Sequence, residues 1–141
     1  MRVLIDTNVV LDFLLVREKF FPDANEIFNH IQTGEFEAFV SAITPVNTFY
    51  TARKEIGGEK ALKLVKELTQ LVSIARTDGI VISTAFDLGF TDYEDAVQCS
   101  SAMAEGLDAI VTRNTKDYTN SPIQIYSPSE FLGILRNEST G

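Results

Sequence analysis

The sequence predicts an α/β fold, a three-layer α/β/α sandwich around a mostly parallel central sheet. Three observations predict it. The short apolar segments are continuous runs rather than alternating ones, as strands covered on both faces are. They alternate with segments of helical period, singly or in pairs, as crossovers between parallel strands require. No repeat, low-complexity tract or Pro/Gly/Ser linker divides the 141 residues, so 1–141 reads as one domain of ordinary length.

Arg2 to Ile5 is a short apolar run ending in Asp6-Thr7-Asn8, a buried strand meeting a helix start. Val9, Val10, Phe13 and Leu14 then recur at helical spacing. From Pro22 to about Ile31, Ala24, Ile27, Phe28 and Ile31 mark one buried face of a second helix, which Gly34 stops. Phe36 to Ala42 reads as a strand. Thr44-Pro45 has the form of an N-cap with proline at the first helical position. That helix runs to Gly57-Gly58, where another begins and carries Leu62, Val65 and Leu68 inward. Leu71 to Ala75 is a strand, Thr77 to about Leu88 a helix ended by Gly89, and Asp92 to Glu105 a helix stopped by Gly106. Asp108 to Thr112 and Ile123 to Ile125 are strands, and Ser127-Pro128-Ser129-Glu130 is a capping-box start to the last helix.

Composition narrows the chemistry. With 12 Lys+Arg against 20 Asp+Glu the formal charge is −8, which disfavours duplex binding through a basic face. It leaves open an enzyme whose carboxylates reach phosphates through divalent cations. One cysteine, Cys99, and one histidine, His30, exclude a disulfide framework, a cysteine zinc cluster and a His-rich metal site. The first residues lack the apolar core of a secretion signal, and no apolar run is long enough to cross a bilayer, so a reduced, cytoplasmic protein without membrane contact is expected.

Ligands of such sheets bind beyond the carboxyl ends of the strands. Three polar clusters fall near that edge: Asp6-Thr7-Asn8, Asp92-Tyr93-Glu94-Asp95, and Thr112-Arg113-Asn114-Thr115-Lys116-Asp117. Asp6 and Asp92 could each be a helix cap, and Asp95 could simply favour the positive end of a helix dipole. Asp92 and Asp95, however, are three apart and share a helical face, where like charges repel. Bringing Asp6 into the same pocket raises that cost, and an ion removes it. Ligands of oxygen alone suit Mg²⁺ or Mn²⁺.

Val3-Leu-Ile-Asp-Thr-Asn-Val9, Asp92-Tyr-Glu-Asp-Ala96 and Ile110-Val-Thr-Arg-Asn-Thr-Lys-Asp-Tyr118 resemble the PIN domain family in order and spacing. Ile125-Tyr-Ser-Pro-Ser-Glu-Phe131 resembles its last strand and helix, so the likeness spans essentially the whole chain. The resemblance implies a Mg²⁺- or Mn²⁺-dependent ribonuclease cleaving single-stranded RNA, and, at this length, a VapC-type toxin with a cognate antitoxin and a homodimeric state. Asp6 matches the family's first acidic ligand and Asp95 its third. Asn47 stands where the second is usually glutamate, in a Thr-x-x-Asn segment (Thr44-Pro-Val-Asn47) that points to an asparagine-bearing subgroup, and Asn114 stands at the fourth position. Asp92 and Asp117 are the acidic residues left to complete a set with Asp6 and Asp95 that would hold one or two ions and activate a water for attack at phosphorus. Thr7, Asn8, Thr44 and Thr112, with Asn47 and Asn114, would orient ligands or waters. Arg113 and Lys116 are the candidate RNA contacts.

Other residues carry plainer expectations: His30 at or near the surface, Cys99 in the core, and Phe13, Phe20, Phe21, Phe49 and Tyr50 in the core or on a partner surface. A phosphoacceptor receiver domain would need an aspartate ending its third strand, and Leu71-Val-Ser-Ile-Ala75 has none. A haloacid-dehalogenase-like phosphatase would need a second aspartate where Asn8 stands. The remaining rival is a PIN-like domain weakened at Asn47 and Asn114 that binds RNA or protein without cutting.

Overall fold

Strand β1 (Arg2–Ile5) runs up the middle of a five-stranded sheet, because Val3, Leu4 and Ile5 need cover on both faces and have none of their surface exposed. The structure, a computed structural model, describes residues 1–140. β2 (Glu37–Ser41) and β4 (Ala109–Val111) flank β1, with β3 (Ser73–Ala75) and β5 (Gln124–Tyr126) at the edges, giving the order β3-β2-β1-β4-β5. Every pairing is parallel, with Leu4 level with Phe39 on one side and Ile110 on the other.

The pleat sorts the core into two layers. Val3 and Ile5 face α1 (Thr7–Leu14), α2 (Phe21–Gln32) and α7 (Pro128–Thr140), packing with Val9, Phe28 and Phe131. Leu4 and Ile110 face the other way, against Cys99 and Ala102 of α6 (Tyr93–Glu105). The three-layer sandwich expected from the apolar runs is therefore present. The chain lays β2 and β3 outward on one side of β1, then returns to lay β4 and β5 on the other. The carboxyl ends of β1 and β4 thus meet at the switch point where open α/β sheets form ligand crevices.

Helices α3 (Ile43–Ile56) and α4 (Gly58–Leu71) make a hairpin beyond β2, and α5 (Gly79–Ala85) precedes α6. Four local expectations are corrected. Thr44 is not an N-cap: the helix starts at Ile43, and the Thr44 hydroxyl is buried against Thr7 Oγ1 (2.9 Å) and Ser41 Oγ (3.4 Å). Leu71 ends α4 rather than opening a strand. Leu62 points to solvent, 63% exposed, with its neighbour Ala61 buried in its place, while Leu68 is buried as expected. Helix α5 starts later than expected, since Asp78 caps it by accepting from Val81 N–H at 3.1 Å, and it ends earlier, at Ala85. The capping box of α7 forms as expected: Ser127 N–H donates to Glu130 Oε1 (2.8 Å), and Glu130 N–H donates to Ser127 Oγ (3.1 Å). Gly106 ends α6 in the left-handed conformation, φ 69°, that favours glycine. His30 is half-buried and paired with Glu35, and Cys99 is wholly buried. None of the described helices is long and apolar enough to cross a membrane.

Candidate active site

Asp6 leaves β1 at its carboxyl end and caps α1, accepting from Asn8 N–H at 3.3 Å. That capping role accounts for little of its surroundings. The carboxylate is 2% exposed and also accepts from Thr112 Oγ1 (2.7 Å), Tyr118 OH (3.0 Å) and Gln98 Nε2 (3.2 Å). Thr112 follows β4, Gln98 lies on α6, and Tyr118 ends a single 3₁₀ turn, Thr115–Tyr118. Three side chains distant in sequence thus fix one carboxylate.

Asp95 sits in the first turn of α6, and its own N–H donates to the capping carboxylate of Asp92 at 3.0 Å. Its Oδ1 lies 3.2 Å from the Tyr118 hydroxyl. Asp6 Oδ2 and Asp95 Oδ1 therefore share one phenol oxygen, which bounds their separation by the sum of 3.0 and 3.2 Å. That phenol has one hydrogen to give, and it already accepts from Gln98 Nε2 at 3.3 Å. Two carboxylates compete for a single donor. Burial, then the charges of Asp6 and Asp92, push the Asp95 carboxyl up from 3.8 to about 7, against the lowering effect of the Tyr118 hydrogen bond. Burial, then the charges of Asp6 and Asp95, also raise the Tyr118 phenol, so it stays protonated as a donor.

The pair opens into a cavity of about 260 Å³ lined by Asp6, Asp92, Glu94, Asp95 and Asp117, together with the amides of Asn8, Asn47 and Asn114. Five carboxylates and no cation line it. The structure thus gathers Asp6, Asp95, Asp92, Asp117, Asn47, Asn114, Thr7 and Asn8 in one place. Thr7 and Thr44 stand beneath it: Thr7 N–H donates to Gln98 Oε1 (3.2 Å), and its hydroxyl joins Thr44. Among the described residues, no three His, Cys, Asp or Glu side chains close directly on a point where one ion could sit. The four-carboxylate set shares a cavity, but it is not drawn into one clasp. Asp92 and Asp117 are exposed at the cavity wall, and the Asp6–Asp95 pair is the inner seat. A hard divalent cation fits such a site, because Mg²⁺ keeps several waters and is held by one or two carboxylates. Two carboxylates on one phenol hydrogen leave a negative charge that a cation there would balance.

Arg113 departs from expectation. Its guanidinium donates to buried Asp12 at 2.6 and 3.3 Å and lies over the Phe20 ring at 3.8 Å, so its charge is committed to the fold. Lys116 is exposed and is not among the residues lining the acidic cavity. Sequence reasoning gave no role to Gln98, Tyr118 and Asp12, and Glu94 only a place in the Asp92–Asp95 cluster. A signal existed for Gln98, which lies three residues after Asp95 on the same helical face.

The family model for the PIN domain matches residues 2–116. Among solved structures, the chain is similar to one in DNA-bound VapBC from Salmonella typhimurium: 19% identity, TM-score 0.72, covering 91% of this chain and 98% of that one. It is also similar to one in VapBC2 from Rickettsia felis bound to a promoter DNA fragment: 15% identity, TM-score 0.71, covering 90% and 98%. Mycobacterium tuberculosis VapC20, a sarcin–ricin loop cleaving toxin, shares 10% identity at TM-score 0.62 over 77% and 86%. At these identities the likeness is one of fold. No curated protein matches the chain in sequence.

Proposed function

The chain belongs to the PIN domain family, and from that premise we propose that it is a Mg²⁺- or Mn²⁺-dependent endoribonuclease of single-stranded RNA and the toxin of a toxin–antitoxin pair. One observation carries the catalytic reading: five carboxylates without a cation line one cavity, and the two innermost share a single phenol hydrogen. A polyanionic substrate cannot approach such a wall unless positive charge is added between them.

Asp6 and Asp95 would hold the cation, which supplies Lewis acidity toward the phosphate and a water acidic enough to attack it. Asp6 is the fixed member, its oxygens set by Thr112, Gln98 and Tyr118. Asp95 is the adjustable one, charged or neutral near pH 7 according to what stands opposite it. Tyr118 keeps a hydrogen between the two, preventing their mutual repulsion from splaying the pair. Asn47 and Asn114 present amides to the cavity, able to orient a water or a phosphate oxygen without adding charge. Asp92 and Asp117 at the wall would act through water. The toxin reading is supported by the fold shared with chains of VapBC complexes, and a cognate antitoxin, a homodimer and a cytoplasmic site of action belong to the same proposal.

Purified protein incubated with a single-stranded RNA pool should cut only when Mg²⁺ or Mn²⁺ is supplied, and Asp6→Asn or Asp95→Asn should each lower the rate at least 100-fold. Absence of cation-dependent cleavage, with calorimetry finding no metal uptake, would favour the alternative that the Asn47- and Asn114-bearing cavity belongs to a binding module.

A further inference from the structure

A second cavity, of about 430 Å³, lies between α1, α2 and the start of α7. Its wall includes Asp12 and Arg113, the chain neighbours of Leu11 and Asn114, which line the acidic cavity. The two cavities therefore adjoin across the ridge formed by these residues. Their charges differ sharply. Against the five carboxylates of the first, the second sets Lys19 and Arg113 against Asp12 and Asp23, a formal balance of zero.

The neutral cavity has the parts that single-stranded nucleic acid uses. Arg113 is held over the Phe20 ring by buried Asp12, its central carbon 3.8 Å from the ring centroid, and a fixed guanidinium on an aromatic ring is a surface on which a base stacks. With Asp12 holding its charge, Arg113 contributes that plane rather than a phosphate clamp. Lys19, exposed and placed over Phe20 at 5.3 Å, has no carboxylate within ion-pair distance among the described residues. Its ammonium is available to a phosphate. At the start of α7, the Ser127 hydroxyl accepts from Glu130 N–H and retains its own hydrogen to donate, while Ser129 is exposed beside it.

We propose that this cavity is a nucleotide subsite: it stacks the base of an RNA residue flanking the cut on the Arg113–Phe20 plane and takes its phosphate on Lys19 and the serines at the α7 start. The proposal rests on the RNA-cleaving reading and deepens it. The acidic cavity alone repels the strand it would cut. A neighbouring subsite without that excess negative charge holds the strand and presents one phosphate to the acids.

The test uses the full chain carrying Asp95→Asn, so that RNA is bound but not cut, and a fluorescent single-stranded RNA octamer containing 4-thiouridine. Adding Lys19→Glu or Ser129→Glu, both at exposed positions, should each weaken octamer binding at least fivefold. Lys63→Glu on α4, outside both cavities, should change it less than twofold. Irradiation should crosslink the octamer to the peptides containing Phe20 or Arg113. Binding within twofold of the parent for both cavity variants, crosslinks confined to other peptides, or no octamer binding at all would each overturn the subsite. So would a Lys19→Glu protein that keeps RNA but loses a partner protein encoded beside it, which would make the cavity a peptide site. Failure of the nuclease reading is separate: it appears as bound octamer that the Asp95-bearing protein never cuts in Mn²⁺.

Discussion

Replacing Asp95 by asparagine should stabilise the metal-free protein at pH 8 while removing its activity. In the fold the Asp95 carboxyl is raised from 3.8 to about 7, first by burial and then by Asp6 and Asp92. Between those values the folded state holds a proton that the unfolded chain has released, so stability falls as pH rises across that window and levels off above it. At 1.36 kcal/mol per unit the full shift is worth at most about 4 kcal/mol. The cavity is open to solvent, which screens part of this, and about 2 kcal/mol is expected. Asparagine never ionises, so the penalty disappears. Urea unfolding in a chelator, at pH 4 and pH 8, should give variant and parent similar stabilities at the lower pH and a gap of about 2 kcal/mol in the variant's favour at the higher. Saturating Mn²⁺ should reverse the order, because a ligand at 100 times its Kd adds about 2.7 kcal/mol to whichever protein binds it. A variant no more stable than its parent at pH 8, or a gap that does not change with pH, would refute the crowded-carboxylate reasoning.

Three further perturbations separate the parts of the fold. Arg113→Ala leaves the Asp12 carboxylate buried with only Arg17 at 4.0 Å, and a loss of about 3 kcal/mol in urea unfolding is expected, most of it recovered by adding Asp12→Asn. Gln98→Leu strips the acceptor from Thr7 N–H and a donor from Asp6, costing about 1–3 kcal/mol and weakening Mn²⁺ uptake in calorimetry. Leu68→Ala, in the buried core, should cost about 2–5 kcal/mol, whereas Leu62→Glu, at an exposed position, should stay within about 0.5 kcal/mol by the same assay.

The sheet was legible because its cause is local: Val3, Leu4 and Ile5 form a run that only burial on both faces can satisfy, and the helical periods between runs leave room only for crossovers. Asp6 and Asp95 were legible for a related reason, since a carboxylate at the end of a buried strand and another in a helix's first turn are placed by the elements that carry them. Leu62 was misread because two residues on one helix compete to face inward, and the partner helix α3 chooses between them. The sequence of α4 contains no record of that choice.

Thr44 and Arg113 were misplaced by a different route, which also explains why Gln98 and Tyr118 went unread. A threonine before a proline carries a local offer, to cap the helix that follows, and an arginine after a strand carries another, to meet solvent or substrate. In both cases a distant partner outbids it. Thr7 Oγ1 takes the Thr44 hydroxyl across 37 positions of chain, and Asp12 takes the Arg113 guanidinium across 101. Gln98 and Tyr118 make no local offer at all. Each is an ordinary helix or turn residue until the sheet brings Asp6 to it, 92 and 112 positions away. The electrostatic conflict identifies such residues better than motif spacing does. Once two buried carboxylates are placed within reach of each other, something nearby must supply a hydrogen, and the topology delivers polar side chains there from the α6 face and the turn after β4, beside the local Asn8. The same reasoning sets the order of importance at the site. Loss of a wall carboxylate such as Asp117 relieves repulsion, whereas loss of Gln98 or Tyr118 removes the donors that let Asp6 and Asp95 stand together.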